Sequence, residues 1–432
     1  MPRTVAIVHP VQNLSVDQID LSDIEFWARP LDEREGAFLT LREQRPLAFF
    51  KEPEVDVPGI TVGPGYYAVT KHADILEISR QPELFCSGQG STSITDMPDF
   101  MSEFFGSMIA MDDPRHARLR KIVSHAFTPK MLKRVEDDVQ RSAAVIVDEA
   151  LEQGGGDFVT DVAAKLPLRI ICNMMGIAES DYDTVFNRSN IILGSADPEY
   201  VSNSNDAQGV INALLTAGGD LHTLVSELGK ARRQHPTDDL TSALVNANVD
   251  GEQLTDSELG SFFILLVVAG NETTRNAISH GLSLLTDNPD QRAIWTADVD
   301  RVTPTAVEEI VRVASPVAWM RRTATRDTEL RGQQLHAGDK LLMFYWSADR
   351  DADAFTDPFR FDVRRSPNHH VGFGGPGPHF CLGAHLARRE ITVMFKELLS
   401  RAPRVAATGQ PDRLLSSFIN GIKHLPFQID AA

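Results

Sequence analysis

The chain has 432 residues, of which 42% are hydrophobic and 24% charged, a composition that excludes a disordered chain and a collagen-like repeat. Its 42 Lys and Arg residues against 60 Asp and Glu residues give a formal net charge of −18 at pH 7. Because nucleic acids are bound through basic surfaces, this acidic balance argues against a protein that binds nucleic acid through bulk charge.

The cysteines and the apolar runs predict the compartment. Cys86, Cys172 and Cys381 are an odd and sparse set, which favours a reducing environment over a disulfide-stabilised secreted protein. The longest wholly apolar run, 262–269, has eight residues, whereas a membrane-spanning helix needs about 20. The apolar stretch near the start is too short for a secretory signal. We therefore expect a cytoplasmic protein without a transmembrane segment.

Taken in chain order, the first predicted β segment lies at about 46–72, where Pro and Gly flank an alternating stretch. From Asp74 to Leu285 the apolar residues recur mostly at helical spacing, and a second β-like region covers about 317–363. A glycine-rich loop and another helix follow. No linker, repeat or low-complexity tract interrupts this pattern, so we predict one domain, 1–432, that is mainly α with a small β part.

The best-marked element is a long central helix. Thr255-x-x-Glu258 forms a capping box with Thr255 as the N-cap, and no proline follows until Pro289. This interval leaves room for about 30 helical residues, on the order of 45 Å. Because the stretch 262–269 is apolar on every side, we expect this part of the helix to be buried.

The polar segment 269–274 (Ala-Gly-Asn-Glu-Thr-Thr) follows this apolar stretch and has two interpretations. It could be the one side of a core helix that meets water. Alternatively, the helix is broken open at Gly270 to face a cofactor, and Thr273 bonds the carbonyl of Ala269 one turn back. The second interpretation accounts for a glycine and a carboxylate at a place where a buried helix disfavours both.

The segment 370–390 carries the strongest chemical signal, because Cys381 follows a run of glycines and directly precedes a predicted helix. Glycines let the backbone approach a flat ligand closely, and a helix N-terminus favours a thiolate. A thiolate in such a position is an axial ligand for haem iron. The alternative is a buried structural cysteine, which is our interpretation of Cys86 and Cys172 because they lack these surroundings.

These segments occur in an order and spacing that resemble the cytochrome P450 monooxygenases over nearly the whole chain. The Cys381 loop is similar to the family's haem-ligand signature, and 269–274 is similar to its oxygen-activating segment. Phe373 stands eight residues before Cys381, one more than in most bacterial members. This lengthened loop, with 262–275 and 382–390, is most similar to actinobacterial members that hydroxylate methyl-branched lipids and sterol side chains.

A further matching segment, Glu309-Ile-Val-Arg312, resembles the family's E-x-x-R helix. Thr303 as N-cap and Pro304 as first helical residue would mark the start of this helix. Arg365 would complete a Glu-Arg-Arg cluster of architectural residues, in which a buried carboxylate needs cationic partners. The neighbouring Arg364 is the alternative third member.

The resemblance implies a P450 fold, a triangular prism of helices with a long central helix and a proximal cysteine loop, and haem b as cofactor. Cys381 would be the axial ligand of the haem iron, Glu272 would relay protons from solvent, and Thr273 would order water near the oxygen. Further haem contacts are expected from Ala269, Gly270 and Gly383. Basic residues are expected to bind its propionates, namely His116, Arg120, Arg322 and His379.

The implied activity is the insertion of one oxygen atom from O2 into an unactivated C–H bond of a hydrophobic lipid. We expect terminal (omega) hydroxylation of methyl-branched fatty acids or isoprenoids, or of a sterol side chain. The segments expected to shape the pocket are 88–110, 186–215, 315–320 and 416–422. Electrons would come from a ferredoxin and its reductase with NAD(P)H, and the ferredoxin would dock on a basic face made of Arg388, Arg389, Lys396 and the stretch 115–133.

Three alternatives remain at the level of the sequence. A peroxide-driven peroxygenase has the same fold, but the Glu272-Thr273 pair counts against it. A non-catalytic haem carrier or gas sensor would need neither a proton relay nor a docking face. A zinc protein would use residues whose spacing matches no common zinc motif, namely His369, His370, His379, Cys381 and His385.

Overall fold

The structure is a computed structural model, and it describes residues 9–54, 60, 62–204 and 206–430. Residues 1–8, on which part of the signal-sequence prediction depends, lie outside the described residues. Positions 55–59 and 61 of the first predicted β segment also lie outside them.

Helices dominate the described residues, and they confirm the prediction of a mainly helical stretch between 74 and 285. None of them is both long enough and apolar enough to cross a bilayer. The helices are α1 (Ile24–Trp27), α2 (Leu31–Gln44), α3 (His72–Ser79), α4 (Asp99–Gly106), α5 (Arg115–Ala126), α6 (Pro129–Gln153), α7 (Lys165–Met175), α8 (Tyr182–Leu193), α9 (Ala207–Gln234), α10 (Leu240–Asn246), α11 (Asp256–Asp287), α12 (Pro289–Ala297), α13 (Val299–Ala314), α14 (Tyr345–Ala348) and α15 (Ala384–Arg401).

The strands are short and lie mostly in the two predicted β regions and near the end of the chain. They are β1 (Leu47–Phe50), β2 (Tyr66–Val69), β3 (Phe85–Cys86), β4 (Gly155–Asp157), β5 (Met320–Ala324), β6 (Thr328–Leu330), β7 (Gln333–Leu335), β8 (Lys340–Met343), β9 (Ala406–Ala407), β10 (Asp412–Arg413), β11 (Ile422–His424) and β12 (Pro426–Gln428).

The largest sheet joins the two predicted β regions. Its strand order is β1-β2-β8-β5-β3, in which β2 and β8 are parallel and the other neighbours are antiparallel. The smaller sheets are β4-β12-β9, β10-β11 and β6-β7. The end of the second predicted region, 344–363, differs from the prediction, because it forms α14 and irregular chain instead of strand.

The central helix α11 begins where the sequence predicts. The Thr255 hydroxyl accepts a hydrogen bond from the Glu258 N–H at 3.1 Å, and the Glu258 carboxylate accepts one from the Thr255 N–H at 2.9 Å. The helix has 32 residues, which corresponds to about 48 Å. It packs against α4, α7, α8, α9, α13 and α15, so it forms the centre of the main hydrophobic core.

The helix α11 is continuous through Gly270, so the predicted break at this residue is wrong. A Cβ atom at position 270 would lie 2.7 Å from Cδ1 of Ile171, which belongs to α7. The glycine therefore lies at a close contact between the two helices, and a larger residue there would require the Ile171 side chain to move.

The apolar stretch of α11 is buried on one side only. Phe262, Phe263 and Ile264 are at most 3% exposed, whereas Ala269 is exposed in the middle of the helix. The prediction of burial all round is therefore wrong for this residue. An exposed residue at the centre of a helix that packs against six others indicates that a cavity reaches α11 there.

The helix α13 begins earlier than predicted. Asp298 is its N-cap and accepts a hydrogen bond from the Arg301 N–H at 3.2 Å. Thr303 lies inside the helix and donates to the Val299 carbonyl at 2.5 Å, and Pro304 follows it within the helix. The predicted cap at Thr303 is thus wrong, because Asp298 offers a carboxylate cap five residues earlier.

Candidate active site

Cys381 lies in a tight turn at the entrance to α15. Its N–H donates to the Phe373 carbonyl at 3.0 Å, and Gly383 is the N-cap residue of the helix. The thiol is surrounded by protein on most sides, and this burial raises its pKa; hydrogen bonds from the Gly383 and Ala384 N–H groups and the charges of two arginines oppose the effect. Cys381 is nevertheless exposed, which is unusual for a cysteine at the start of a helix that packs into the core.

Exposure separates Cys381 from the other two cysteines. Cys381 is exposed and receives hydrogen bonds from two N–H groups at the start of α15, which is compatible with a metal ligand because a coordinating metal ion binds the thiolate. Cys86 and Cys172 are both buried, and burial is the first cause that raises the pKa of each, to about 12 for Cys172. The predicted division into one ligand and two packing cysteines fits these environments.

Four predicted propionate-binding residues converge in the structure. The rings of His116, from α5, and His379, from the cysteine loop, have centroids 4.3 Å apart. Burial lowers the pKa of His379 to about 3, and the neighbouring charges of Arg322, His116 and Arg120 lower it further. Arg120 donates to the Phe380 carbonyl at 2.9 Å. Three separate elements therefore bring these basic groups to one place.

The charges of this basic cluster are poorly compensated within the described residues. Arg322 is 6% exposed, and its only side-chain hydrogen bond goes to the Arg321 carbonyl at 2.7 Å. Nε2 of His116 is buried without a partner, while Nδ1 lies 3.2 Å from Asp113. Because a buried cation without a counter-charge is costly, the cluster fits a ligand that brings carboxylates. Haem with its two propionates is such a ligand.

The polar segment of α11 adopts the predicted back-bond. The Thr273 hydroxyl donates to the Ala269 carbonyl at 2.6 Å. Glu272 is 1% exposed and forms an ion pair with Arg275, whose other nitrogen donates to the Asn190 side chain at 2.7 Å. Burial raises the pKa of Glu272, and Arg275 opposes this shift. Glu272 is therefore held away from water, so a relay from solvent requires its ion pair to open.

A second buried carboxylate links the two helices of the site. Glu390 on α15 forms a side-chain hydrogen bond with Thr274 on α11, directly after Thr273, and burial raises the pKa of Glu390 to about 8. This contact places the polar segment of α11 beside the helix that follows Cys381. The sequence analysis missed Glu390, because its position next to Arg388 and Arg389 is typical of a solvated helix face.

The predicted Glu-Arg-Arg cluster forms. Arg312 donates two hydrogen bonds of 2.8 Å to the Glu309 carboxylate, and Arg365 donates a further one at 3.0 Å. Asn368 also donates to Glu309, at 3.1 Å. Arg364 is exposed and makes no side-chain contact among the described residues, so Arg365 is the third member.

Two further carboxylates position the cysteine loop, and the sequence analysis missed both. Asp349 is fully buried and accepts hydrogen bonds from the Val371 N–H at 2.8 Å and the Ser315 hydroxyl at 3.1 Å. Glu308 binds Arg388 at 2.6 Å and His370 at 3.0 Å. Burial alone would raise the pKa of Glu308, but these two partners lower it to about 2.

Most of the predicted basic docking face is neutralised by ion pairs. Arg388 is bound to Glu308, and its guanidinium lies over the Phe373 ring, 4.3 Å from the centroid. Arg389 and Lys133 form no ion pair among the described residues. Arg120 also has no acidic partner among these residues and donates to the Phe380 carbonyl instead. Five further cations of this face have acidic partners: Arg115 with Glu103, Arg118 with Glu252 and Glu258, Lys121 with Asp250, Lys130 with Asp238, and Lys396 with Asp300.

The histidines of the zinc hypothesis do not assemble into a metal site. His370 binds Glu308, His379 stacks on His116, and His369 contributes its carbonyl, which lies 2.8 Å from Nε2 of His72. Within the described residues, the one group of side chains close enough to share a metal ion is elsewhere and consists of Glu199, Asp412 and His424. The structure therefore gives the zinc hypothesis no support.

Sequence comparison places these features in a known family. The cytochrome P450 family model matches residues 57–403. The chain is 49% identical over 420 residues to a methyl-branched lipid omega-hydroxylase of Mycobacterium tuberculosis, with 96% of each protein covered. It is 40% identical over 397 residues to a steroid C26-monooxygenase of Mycolicibacterium smegmatis, with 90% of this chain and 88% of the relative covered.

Structural comparison agrees. A cytochrome P450 of Mycobacterium marinum in complex with pseudoionone matches with a TM-score of 0.89 at 45% identity, covering 97% of this chain and 100% of that one. The predicted fold is confirmed by this match and by the family model. The family's cofactor is haem with a thiolate ligand, which the exposed thiol and the basic cluster fit. The chain therefore belongs to the cytochrome P450 family of haem-thiolate monooxygenases.

Proposed function

We propose that this protein binds haem b, with Cys381 as axial ligand, and hydroxylates the terminal carbon of methyl-branched fatty acids or isoprenoids. The observation that carries the haem assignment is the exposed residue Cys381 at the start of α15 together with the poorly compensated basic cluster. The lipid class is supported by the named activity of the relative that is 49% identical over nearly the full length of both chains. A sterol side chain is the second candidate, supported by the steroid C26-monooxygenase.

The haem, when bound, supplies the binding and reductive activation of O2. In this proposal His116, Arg120, Arg322 and His379 would hold the propionates, since Nε2 of His116 and the Arg322 guanidinium have no acidic partner among the described residues. Exposed Ala269 and the N-cap residue Gly383 would contact the ring. Gly270 contributes indirectly, because its missing side chain lets α11 approach α7.

Proton delivery is assigned to the polar segment of α11. At rest, the Thr273 hydroxyl proton is held by the Ala269 carbonyl oxygen. A rotation about χ1 would turn this hydroxyl away from the helix backbone, where it could donate a hydrogen bond to one water molecule and accept one from another. Oε1 of Glu272 is buried without a partner and Oε2 is bound to Arg275, so Glu272 would reach solvent water when this ion pair opens.

The surroundings of Ala269 support an apolar substrate. Phe104, Phe105 and Ile109 from the segment 88–110 are only partly buried, as are Leu265 and Leu266 of α11. They pack against the core and keep part of their apolar surface accessible. A cavity with apolar walls and few polar groups is suited to a lipid chain.

The proposal includes the electron supply and the location. The monooxygenase reaction needs O2 and a redox partner, and we propose a ferredoxin with its NAD(P)H-dependent reductase. Unpaired Arg389 and Lys133 are the cations of the predicted face that remain for an acidic partner. The three cysteines are free, which supports the proposed cytoplasmic location because a reducing compartment maintains that state.

Spectral titration of the haem-loaded protein tests the substrate class. We expect a type I shift with phytanic acid, a methyl-branched acid, and a weaker shift with straight-chain palmitic acid as the matched control. A shift with cholest-4-en-3-one of equal strength would instead favour the sterol candidate. Turnover with ferredoxin, reductase and NAD(P)H should give the terminal alcohol. The absence of any shift, or turnover with hydrogen peroxide alone, would contradict the proposal.

A further inference from the structure

The segment 87–112, which joins β3 to α5, is fixed at its base and at its far end. The N–H groups of Ser87 and Gly88 donate to the Asp112 carboxylate at 2.7 and 2.8 Å. Farther along, the Phe104 carbonyl accepts a hydrogen bond from the Ser261 hydroxyl of α11 at 3.0 Å. The segment therefore spans the distance from the sheet to α11, the helix on which exposed Ala269 marks the cavity.

Two buried cations hold the first half of this segment. The Arg321 N–H donates to the Ser91 carbonyl at 2.9 Å, and its guanidinium donates to the Ile94 carbonyl at 3.2 Å. Nζ of Lys340 donates to the same Ile94 oxygen at 3.2 Å. Arg321 and Lys340 are 1% and 4% exposed and stand on the paired strands β5 and β8, so their positions are set by the sheet.

The charges around these cations leave a place for one carboxylate from the segment. Glu52, fully buried at its side chain, forms an ion pair with Lys340 and balances one positive charge. Asp96 supplies the other: its Oδ1 accepts from Arg321 at 2.6 Å and its Oδ2 from Lys340 at 2.9 Å. The Asp96 side chain is itself 52% exposed, so solvent weakens these two bonds. Without Asp96, two buried cations would nevertheless share one buried carboxylate, which is unfavourable.

The backbone of the segment is shaped around the same contact. Gly90 has a φ of +112°, and a Cβ atom there would lie 2.9 Å from Nη1 of Arg321. Arg322, the next residue on β5, belongs to the basic cluster of the proposed haem site. The strand β5 therefore binds the segment 87–112 and also carries a residue of the proposed haem site. Any movement of the segment relative to β5 is thus also a movement relative to that site.

We propose that Asp96 is a positioning residue for the substrate, because its bond to Arg321 and Lys340 fixes the segment 90–98 and thereby the position of α4, which packs against α11. This inference rests on the proposed function. Asp96 acts through the segment and touches no reacting atom. Its expected effect is on where a lipid chain lies, and hence on which carbon is hydroxylated, more than on the rate of oxygen activation.

The test compares Asp96→Asn with Asp137→Asn in the haem-loaded protein. Asp137 lies on α6, outside the segments expected to shape the pocket, is exposed, and forms no ion pair among the described residues, so it controls for the lost charge. For Asp96→Asn we expect about a fivefold or larger rise in the Kd for pseudoionone and a larger share of product hydroxylated away from the terminal carbon. Amides of 90–98 should also exchange hydrogen faster. Asp137→Asn should stay within twofold of wild type in Kd.

Equal Kd, product ratio and exchange in the two variants would overturn the proposal. If Asp96→Asn fails to fold, Asp96→Glu is compared with Asp137→Glu, since the longer side chain at position 96 keeps the charge but displaces the segment. An unchanged product ratio would then overturn the proposal. If the wild-type protein binds no lipid, the proposed function fails. Amide hydrogen exchange of 90–98 would then still test whether Asp96 fixes this segment. Equal exchange in the two Asn variants would show that it does not.

Discussion

At the scale of single residues, the Cys381 thiol carries the assignment of the cofactor. Its burial favours the neutral form, whereas iron would bind the anion, so the two states differ sharply in spectrum. We expect Cys381→Ala to abolish the thiolate-type spectrum of the carbon monoxide complex. Cys86→Ala, at a buried cysteine remote from α15 in sequence, is the control and should retain it. An unchanged spectrum in Cys381→Ala would contradict the ligand assignment.

Thr273 is the residue whose hydroxyl can be tested separately from its place in the helix. We expect Thr273→Ala to divert about tenfold more reducing equivalents to hydrogen peroxide per product, because one of the two proton-handling groups is lost. Ser279→Ala is the matched control, since Ser279 makes the same back-bond in α11, to the Arg275 carbonyl at 2.8 Å. Peroxide formation is measured against NAD(P)H use, and equal coupling in both variants would argue against the role of Thr273.

Glu390 gives a prediction for stability. Its pKa is about 8 in the folded protein because of burial and about 4.3 in an unfolded chain. The folded state therefore holds an extra proton between these values, and the free energy of unfolding should fall as pH rises through that window, by on the order of 1 kcal/mol per pH unit. Glu390→Gln should remove this slope.

Denaturant unfolding of the two proteins between pH 5 and 9 measures the effect. Glu152→Gln, at an exposed position, is the control and should follow the wild-type slope. Parallel pH profiles for wild type and Glu390→Gln would mean that the carboxyl group is ionised in the folded protein.

At the scale of elements, the connection between α8 and α9 is bound to the hairpin β10–β11 by charges. Asp197, 2% exposed, accepts hydrogen bonds from the Leu415 N–H at 2.9 Å and from Lys423 at 3.3 Å. Glu199 binds Lys423 at 2.8 Å and lies 3.0 Å from Nε2 of His424. These contacts join the segment 186–215, which the sequence analysis assigned to the pocket, to residues on either side of a second such segment, 416–422.

His424 makes this attachment sensitive to pH. Hydrogen bonds to Asp157 on β4 and to Glu199 raise its pKa, Asp412 adds a nearby carboxylate, and Lys423 stays charged with a pKa of about 12. A raised histidine pKa stabilises the fold fully below about pH 6.5, and this contribution is lost as pH rises through the folded value. We expect the amides of 197–204 to exchange faster above that value, after correction for intrinsic rates.

The variant His424→Gln should remove this pH dependence, because the amide side chain does not titrate. His336→Gln, at an exposed histidine 3.6 Å from Asp327, is the control and should leave it intact. The difference in amide exchange of 197–204 between wild type and His424→Gln could instead be constant from pH 6 to 9. That result would mean that the contact of protonated His424 with Glu199 does not stabilise this connection.

At the scale of the whole molecule, the cluster on Glu309 joins segments that are far apart in the chain. Arg312 donates to the carbonyls of Asp349 and Pro358 at 2.7 and 2.8 Å, and Arg365 to that of Thr356 at 2.7 Å. The buried carboxylate thus organises the irregular chain between α14 and the cysteine loop. Loss of one cation leaves Glu309 under-compensated and loosens this chain at the same time.

We expect Arg365→Ala to lower the free energy of unfolding by about 3 kcal/mol, the range found for breaking buried ion pairs. The fraction of protein purified with haem should fall as well, because the loop that carries Cys381 follows directly. Arg364→Ala is the control, and its exposed side chain predicts a change within about 0.5 kcal/mol. Denaturant unfolding and the ratio of haem to protein absorbance are the measurements. Equal losses in both variants would contradict the assignment of Arg365.

The features that the sequence predicted correctly depend on neighbours close in the chain. The Thr255–Glu258 capping box and the bond from Thr273 to the Ala269 carbonyl join residues three and four apart, so the local pattern specifies them. The Glu309–Arg312 pair is likewise one helical turn. The sequence also singled out Cys381 among the three cysteines, because the glycines and the helix that mark it are its direct neighbours in the chain.

Other features could be recognised only in the tertiary structure, because they depend on residues that are distant in the chain. Asp300 neutralises Lys396, Asp112 closes a segment that begins at Ser87, and α15 buries Glu390 against α11. The local sequence around each of these residues predicts an exposed charged side chain. It contains no signal for the distant residue with which that side chain interacts. The sequence by itself therefore determined the chemistry of the proposed ligand and the long helix beside it, whereas packing decided which charges are buried, because burial depends on elements that approach from elsewhere in the fold.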